Sequence, residues 1–251
     1  VRNLVFKGIR FIQNERDTWT MNDAGMQHDW EMFDKNNAFF RLRGAENCVV
    51  EACEFYNGGG TGIRLDLYCQ NNIIKSNYIH NLGGTGIFLG GYGAGTKDVN
   101  RNNTIDNNCI HDCGKLYWHN AAITVSQSGE NHISHNLIFN MPYNGISLGG
   151  YRTQFFSDKF KERVLKDSDS INSNVKSFGN QDFEGIRENA RSVRWNEIGN
   201  FNWSEAPINK HGPSNIFKYS LTLPFIHGRA NVLEFNEIYN VMTTLGDGNG
   251  I

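Results

Sequence analysis

One stretch, Asn72-Ile73-Ile74-Lys75-Ser76-Asn77-Tyr78-Ile79-His80-Asn81, returns in altered form along the whole chain. Aligned on its second asparagine are Val50 to Asn57, Ile105 to Asp112, Ile133 to Asn140, Val193 to Asn200 and Leu233 to Asn240. An apolar residue stands three before the asparagine, an aliphatic or aromatic residue two after it, and Asn or Asp four after it in every copy; Cys53 replaces the asparagine in the first. The apolar columns are rich in β-branched residues in short runs, which predicts strands rather than helices. Spacings of 24, 31 and 28 residues (Cys53 to Asn77, Asn77 to Asn108, Asn108 to Asn136) predict a solenoid, each unit burying its apolar face only against its neighbours. Asparagine suits the corner between strands because it tolerates the left-handed conformation and its amide can bond the same asparagine in the next coil.

A second repeated strand lies downstream of each copy: Gly62 to Tyr68, Gly86 to Tyr92, Ala122 to Ser128 and Gly145 to Tyr151, with an earlier copy at Ala38 to Gly44 and a later one opening at Gly250-Ile251. These alternate with period two, so one face points inward. Strands stacked like on like, with corners at Asn and Gly, describe an all-β parallel β-helix of about seven coils.

The combination of N-x-I-x-x-N-x-I-H with G-x-G-I-x-L-G-G-Y resembles the right-handed parallel β-helix repeats of secreted polysaccharide-degrading enzymes, the pectate-lyase-like superfamily and, more closely, the β-helix glycoside hydrolases. The resemblance covers about residues 3 to 251 apart from the insertions. It implies fold strongly and reaction weakly, because one fold hosts several chemistries.

A solenoid has no globular size limit, so residues 1–251 read as a single β-helix domain. It is interrupted by insertions at about 15–36, 152–190 (with a short helix expected near Asp158 to Leu165) and 201–230. The opening coil places Phe6, Ile9 and Phe11 in inward slots. Net charge of −2 and a pI near 6.5 carry no basic footprint for nucleic acid or anionic membrane, and no run approaches a transmembrane span. Val1 already lies in a strand-like run and Ile251 begins another. The chain therefore reads as a fragment of a longer extracellular or periplasmic protein, its signal peptide outside the fragment. Cys48, Cys53, Cys69, Cys109 and Cys113 show no CxxC pairing and read as small apolar residues near the coil wall.

Alternate residues of the second strand face outward and stack into two columns: Arg41, Arg64, Phe88, Thr124, Ser147, and Arg43, Asp66, Gly90, Ser126, Gly149. Such a face suits a sugar chain. Arg64, Asp66, Tyr92, Gln127, Tyr151 and Arg152 are its candidate substrate-binding residues, with Gly90-Gly91 and Gly149-Gly150 baring backbone for close approach. The alternative is a solvated wall with a salt bridge from Arg41 or Arg43 to Asp66. Four residues before an inward isoleucine, His119 and Asp247 occupy the same slot at one edge of this face and are the candidate catalytic residues. Asp247 sits in Gly246-Asp247-Gly248-Asn249-Gly250-Ile251, similar to the D-G-x-x-I run in which β-helix glycosidases carry a functional aspartate; a turn aspartate is the alternative.

Glycoside hydrolysis needs two carboxyl groups roughly 5–10 Å apart. Asp66 and Asp247, some five coils or on the order of 24 Å apart, are not that pair. A residue beyond the fragment is the partner expected for Asp247, with Glu205 as the alternative. His80 and His111 stack with Tyr56 and Phe139, either as a metal-binding ladder or as an aromatic stack, and no metal is assigned. The expected function is action on a polysaccharide as a glycoside hydrolase without a cofactor. A uronate-cleaving lyase, which the resemblance would supply with Ca²⁺ and an arginine such as Arg41, Arg43, Arg64 or Arg152, is one alternative. A non-catalytic carbohydrate-binding or adhesin-like β-helix is the other.

Overall fold

The computed structural model describes residues 1–16, 38–91, 98–149 and 227–251. The first coil contributes strands β1 (Val5–Lys7), β2 (Arg10–Ile12) and β3 (Ala38–Glu46), and the second β4 (Val49–Glu51), β5 (Glu54–Gly58) and β6 (Thr61–Gln70). The third holds β7 (Ile73–Lys75), β8 (Tyr78–Leu82) and β9 (Ile87–Gly90), followed by the short β10 (Asn100–Arg101). Next come β11 (Thr104–Asp106), β12 (Cys109–His111) and β13 (Ile123–Ser126), then β14 (His132–Ser134), β15 (Leu137–Phe139) and β16 (Ile146–Gly149). The last described coil has β17 (Val232–Glu234) and β18 (Glu237–Tyr239).

Like strands stack in parallel into three walls. The first runs β1-β4-β7-β11-β14-β17 and the second β2-β5-β8-β12-β15-β18; the third runs β3-β6-β9-β13-β16, with β10 beside the far end of β6. The described residues thus build six levels. The Val193–Asn200 copy lies outside them, and the fifth level pairs directly with the sixth, Ile133 with Leu233 and Ile138 with Ile238.

Inward residues meet at each level: Val50, Phe55, Ile63 and Leu65 at the second, Ile74, Ile79, Ile87 and Leu89 at the third, all fully buried. Phenylalanines fill the first two, with Phe11 stacked on Phe55 at 4.6 Å and Phe6 edge-on to Phe40 at 4.7 Å. Ile9 also occupies an inward slot, but in the end coil. It takes the slot that Cys53 and Asn77 hold in later coils and is 39% exposed.

Two asparagine ladders run up the interior. In one, Asn77 donates its backbone N–H (3.0 Å) and its side-chain amide (2.9 Å) to Asn108 Oδ1, and Asn108 repeats this on Asn136, and Asn136 on Asn236. The other ladder, five residues earlier in each coil, links Asn72, Asn103, Asn131 and Asn231 in the same way. Cys53 and Cys48 head the two ladders, their backbone N–H groups donating to Asn77 and Asn72.

The ladder asparagines are not the left-handed residues of the corners. Positive φ falls on the residue before them: Ala52, Ser76, Asn107, His135 and Phe235 precede one ladder, and Asn47, Asn71, Asn102, Glu130 and Ala230 the other. A third left-handed corner takes Asn57, Asn81, Asp112, Asn140 and Asn240, the Asn/Asp column. The ladder position needs an amide pointing inward, and so the strained backbone is passed to its outward neighbour.

Candidate functional site

The third wall has the register its alternation predicts. Arg41 pairs with Arg64, Arg64 with Phe88, Phe88 with Thr124 and Thr124 with Ser147; Arg43, Asp66, Gly90, Ser126 and Gly149 form the neighbouring column. The middle of this face is closed, with Arg64, Asp66, Phe88, Gly90 and Thr124 buried, while Arg43 is exposed and Arg41, Ser126, Ser147 and Gly149 are half-buried. Asp66 is 1% exposed and accepts hydrogen bonds from Arg41 Nε and from Arg64 Nε, the latter at 2.5 Å. Arg64 is buried, and its guanidinium lies 4.5 Å over the ring of Phe88. The inter-coil salt bridge set out as the alternative reading is therefore present.

Gly90 and Gly91 serve packing, whereas a Cβ on Gly149 would meet only Val125 O, at 3.6 Å. A Cβ on Gly90 would fall 2.4 Å from the Phe88 ring, and one on Gly91 only 1.8 Å from the carbonyl oxygen of Gln127, so the bared backbone is filled by the protein's own groups. Gln127 is buried in a left-handed corner, where its Oε1 accepts the His227 N–H at 3.0 Å. Tyr92, Gly150, Tyr151, Arg152 and Glu205, with the insertion residues 17–36, 152–190 and 201–226 and the helix expected within them, lie outside the described residues.

The edge between the second and third walls is where His119 and Asp247 sit. From Phe55 to Ile63, Ile79 to Ile87 and Ile138 to Ile146 the connection takes 8 residues, whereas Ile110 to Ile123 and Ile238 to Ile251 each take 13. The two long connections form the same hook over the coil before them. In the first, Gly114, Lys115, Leu116 and Tyr117 donate their N–H groups to Gly84, Leu82, Gly83 and Gly83; in the second, Met242, Thr243, Thr244 and Leu245 donate to Tyr143, Met141, Pro142 and Pro142. Gly114 and Met242, equivalent by position, both turn with positive φ, +74° and +61°.

His119 and Asp247 thus occupy equivalent positions on equivalent hooks two levels apart, or about 10 Å along the axis. Tyr143 belongs to the coil between them. The His119 imidazole is buried and meets the Tyr143 ring edge-on at 4.9 Å, while on the other side a Cβ on Gly248 would fall 2.7 Å from Tyr143 Cε2. Asp247 is exposed, and Asn249 donates its N–H to Asn144 Oδ1 at 2.8 Å. Asp66 is four levels from Asp247, on the order of 19 Å, which corrects the five-coil estimate and still excludes it as a catalytic partner.

The second wall carries Tyr56, His80, His111, Phe139 and Tyr239 as a ring stack, neighbouring centroids 4.5–5.4 Å apart and nearly parallel. His111 bonds Asp112 at 2.6 Å through Nδ1 and the Tyr78 hydroxyl at 2.9 Å through Nε2. Among the described residues no group of three or more His, Cys, Asp or Glu side chains is placed to hold a metal ion. All five cysteines are free thiols; burial pushes Cys69 up to about 12 and Cys113 higher still. Sequence reasoning passed over the second ladder, although Asn recurs five residues before the first in four copies, and it passed over the hooks, although their equal length is countable.

Comparison with curated proteins and with solved structures returns no match. Residues 2–94 match the family model described as the right handed beta helix region, and the same three-walled coil continues through the later described levels: the chain is a right-handed parallel β-helix.

Proposed function

We propose that this β-helix acts on a polysaccharide and cleaves it as a glycoside hydrolase, with Asp247 supplying one of two catalytic carboxyl groups. One observation carries the reading: two hooks with the same backbone hydrogen bonds bring His119 and Asp247 to one edge of the helix, on either side of Tyr143. A carboxylate on a backbone-anchored hook is exposed to a substrate yet fixed in position, as general acid–base or nucleophilic work requires. His119, wedged against Tyr143, acts as a positioning residue for that ring. A paired-carboxylate reaction needs no metal or organic cofactor. The second carboxyl must reach within about 5–10 Å of Asp247; Asp66, distant and held by two arginines, does not, and the partner we favour is a residue outside residues 1–251, with Glu205 as the alternative. A polysaccharide substrate also implies an extracellular or periplasmic setting.

The test is release of reducing ends, with absorbance of unsaturated uronates in parallel, from a panel of plant and algal polysaccharides, using the full-length parent and Asp247→Asn. Reducing ends without that absorbance, reduced at least a hundredfold in the variant, are expected for a carboxyl acting in acid–base catalysis. Absorbance would replace the hydrolase with a lyase, and no release from any glycan would overturn the enzymatic reading.

A further inference from the structure

We infer that Trp118 is a stacking platform for a neutral sugar unit, placing the polymer so that a later unit lies at Asp247; this rests on the polysaccharide reading above. Exposed large apolar side chains among the described residues fall almost entirely at the two ends of the solenoid. Val1, Leu4, Val5, Ile9 and Ile12 belong to the first coil, and Leu148, Val232, Phe235, Tyr239 and Ile251 to the last two levels, where a covering coil is not among the described residues. In the middle levels there remain Tyr78 and Trp118. The Tyr78 hydroxyl is bonded to His111, which gives that ring a role within the wall. Trp118, 39% exposed in the fourth coil, has no such role among the described residues and no end effect to account for it.

Its backbone is nevertheless held firmly. Tyr117 before it and His119 after it are buried, Leu116 and Tyr117 donate N–H groups to Gly83 O at 3.0 Å, and Asn120 N–H closes the turn on Tyr117 O at 3.0 Å. The Asn120 side chain is fixed as well, Oδ1 accepting the Thr85 hydroxyl at 2.9 Å. An indole on so constrained a segment loses little freedom when a ligand settles on it.

The duplicate hook shows what the position looks like without a side chain. Gly246 stands where Trp118 does, and a Cβ there would meet nothing within 4 Å. Two levels along the axis, about 10 Å away, the surface is therefore bare next to the exposed Asp247. A linear glycan lying along the helix over the two hooks meets an aromatic ring first and then an open step with a carboxylate beside it. The indole offers an apolar face without charge, which matches the C–H face of a neutral pyranose rather than a uronate carboxylate.

The test uses the full-length protein and its Trp118→Ala, Trp118→Phe and Asp247→Asn variants. Mobility is read in native gels containing soluble glucan, xylan, mannan or galactan, with polygalacturonate as the acidic comparison, and KM and kcat are read on whichever glycan is cleaved. Trp118→Ala is expected to weaken retardation by a neutral glycan and raise KM about tenfold, moving KM rather than kcat. Trp118→Phe should recover most of the binding, and Asp247→Asn should stay retarded while losing turnover. Urea unfolding midpoints matching the parent would separate lost binding from lost folding. A parent retarded by a glycan to which Trp118→Ala binds equally well overturns this inference alone. A parent that no glycan retards overturns the polysaccharide reading and this inference together.

Discussion

At the scale of single residues, the interior asparagines hold the coils in register. Asn108 Oδ1 accepts two hydrogen bonds from Asn77, its amide donates to Ile74 O at 3.0 Å and to Asn136 Oδ1 at 2.9 Å, and all of this happens out of contact with water. Truncating it strands the Asn77 N–H and the Ile74 carbonyl, each at roughly 1–3 kcal/mol. Asn108→Ala should therefore lower unfolding free energy by about 3 kcal/mol or more in urea titration. His132→Ala, which removes an exposed 2.8 Å bond to Glu234, should cost about 1 kcal/mol or less. If the two variants unfolded at the same urea concentration, the ladder would not be the source of the stability assigned to it. The first ladder was legible because asparagine recurs at one slot; which residue would carry the left-handed backbone was not, because that depends on which neighbour points outward.

At the scale of elements, the wall built by β3, β6, β9, β13 and β16 shows how a correct register can still mislead about exposure. The columns follow from period-two alternation, yet whether Asp66 faces a ligand or its own neighbours depends on side chains from adjacent coils. Arg41 arrives from β3 and Arg64 from the same strand as Asp66, and together they close over the carboxylate. Breaking a buried pair leaves its partner's charge uncompensated at about 3–5 kcal/mol. Asp66→Asn should accordingly destabilise the protein by roughly that amount, read from the thermal or urea midpoint; a midpoint within experimental error of the parent would mean the arginines are satisfied without it. The hooks belong to this scale too. Their equal lengths stand in the sequence, but that each folds back over the coil before it is a matter of backbone donors finding the carbonyls of the shorter connection.

At the scale of the whole molecule, the outer faces of the first two walls are laced by carboxylates held in their charged form. On Glu51 the hydrogen bond from Lys7 lowers the pKa most, with the charge of Lys75 adding to it. Burial raises Asp106 and Asp112, but His135 and Ser134 on the first, and His111, Asn140 and Lys115 on the second, outweigh it and leave both below the ordinary value of 3.8. A lowered folded pKa contributes stability that is fully present above the unfolded value and is lost as pH falls through the folded one. The urea midpoint should hold from neutral pH down to mildly acid conditions and fall below about pH 4, less steeply in Asp106→Asn; a midpoint that stays level to pH 3 would contradict these assignments. Taken as a whole, the solenoid owes its coil period, its inward columns and the pairing of its third wall to sequence alone, because strand alternation and repeat spacing are one-dimensional properties. The tertiary structure decided what depends on contact between coils: that Ile133 stacks directly on Leu233, that Asp66 is caged by arginines, that Gly90 and Gly91 make room for Phe88 and Gln127, and that Tyr143 lies between the hooks bearing His119 and Asp247. No single strand carries that information, since the space outside one coil is defined only by the coils above and below it.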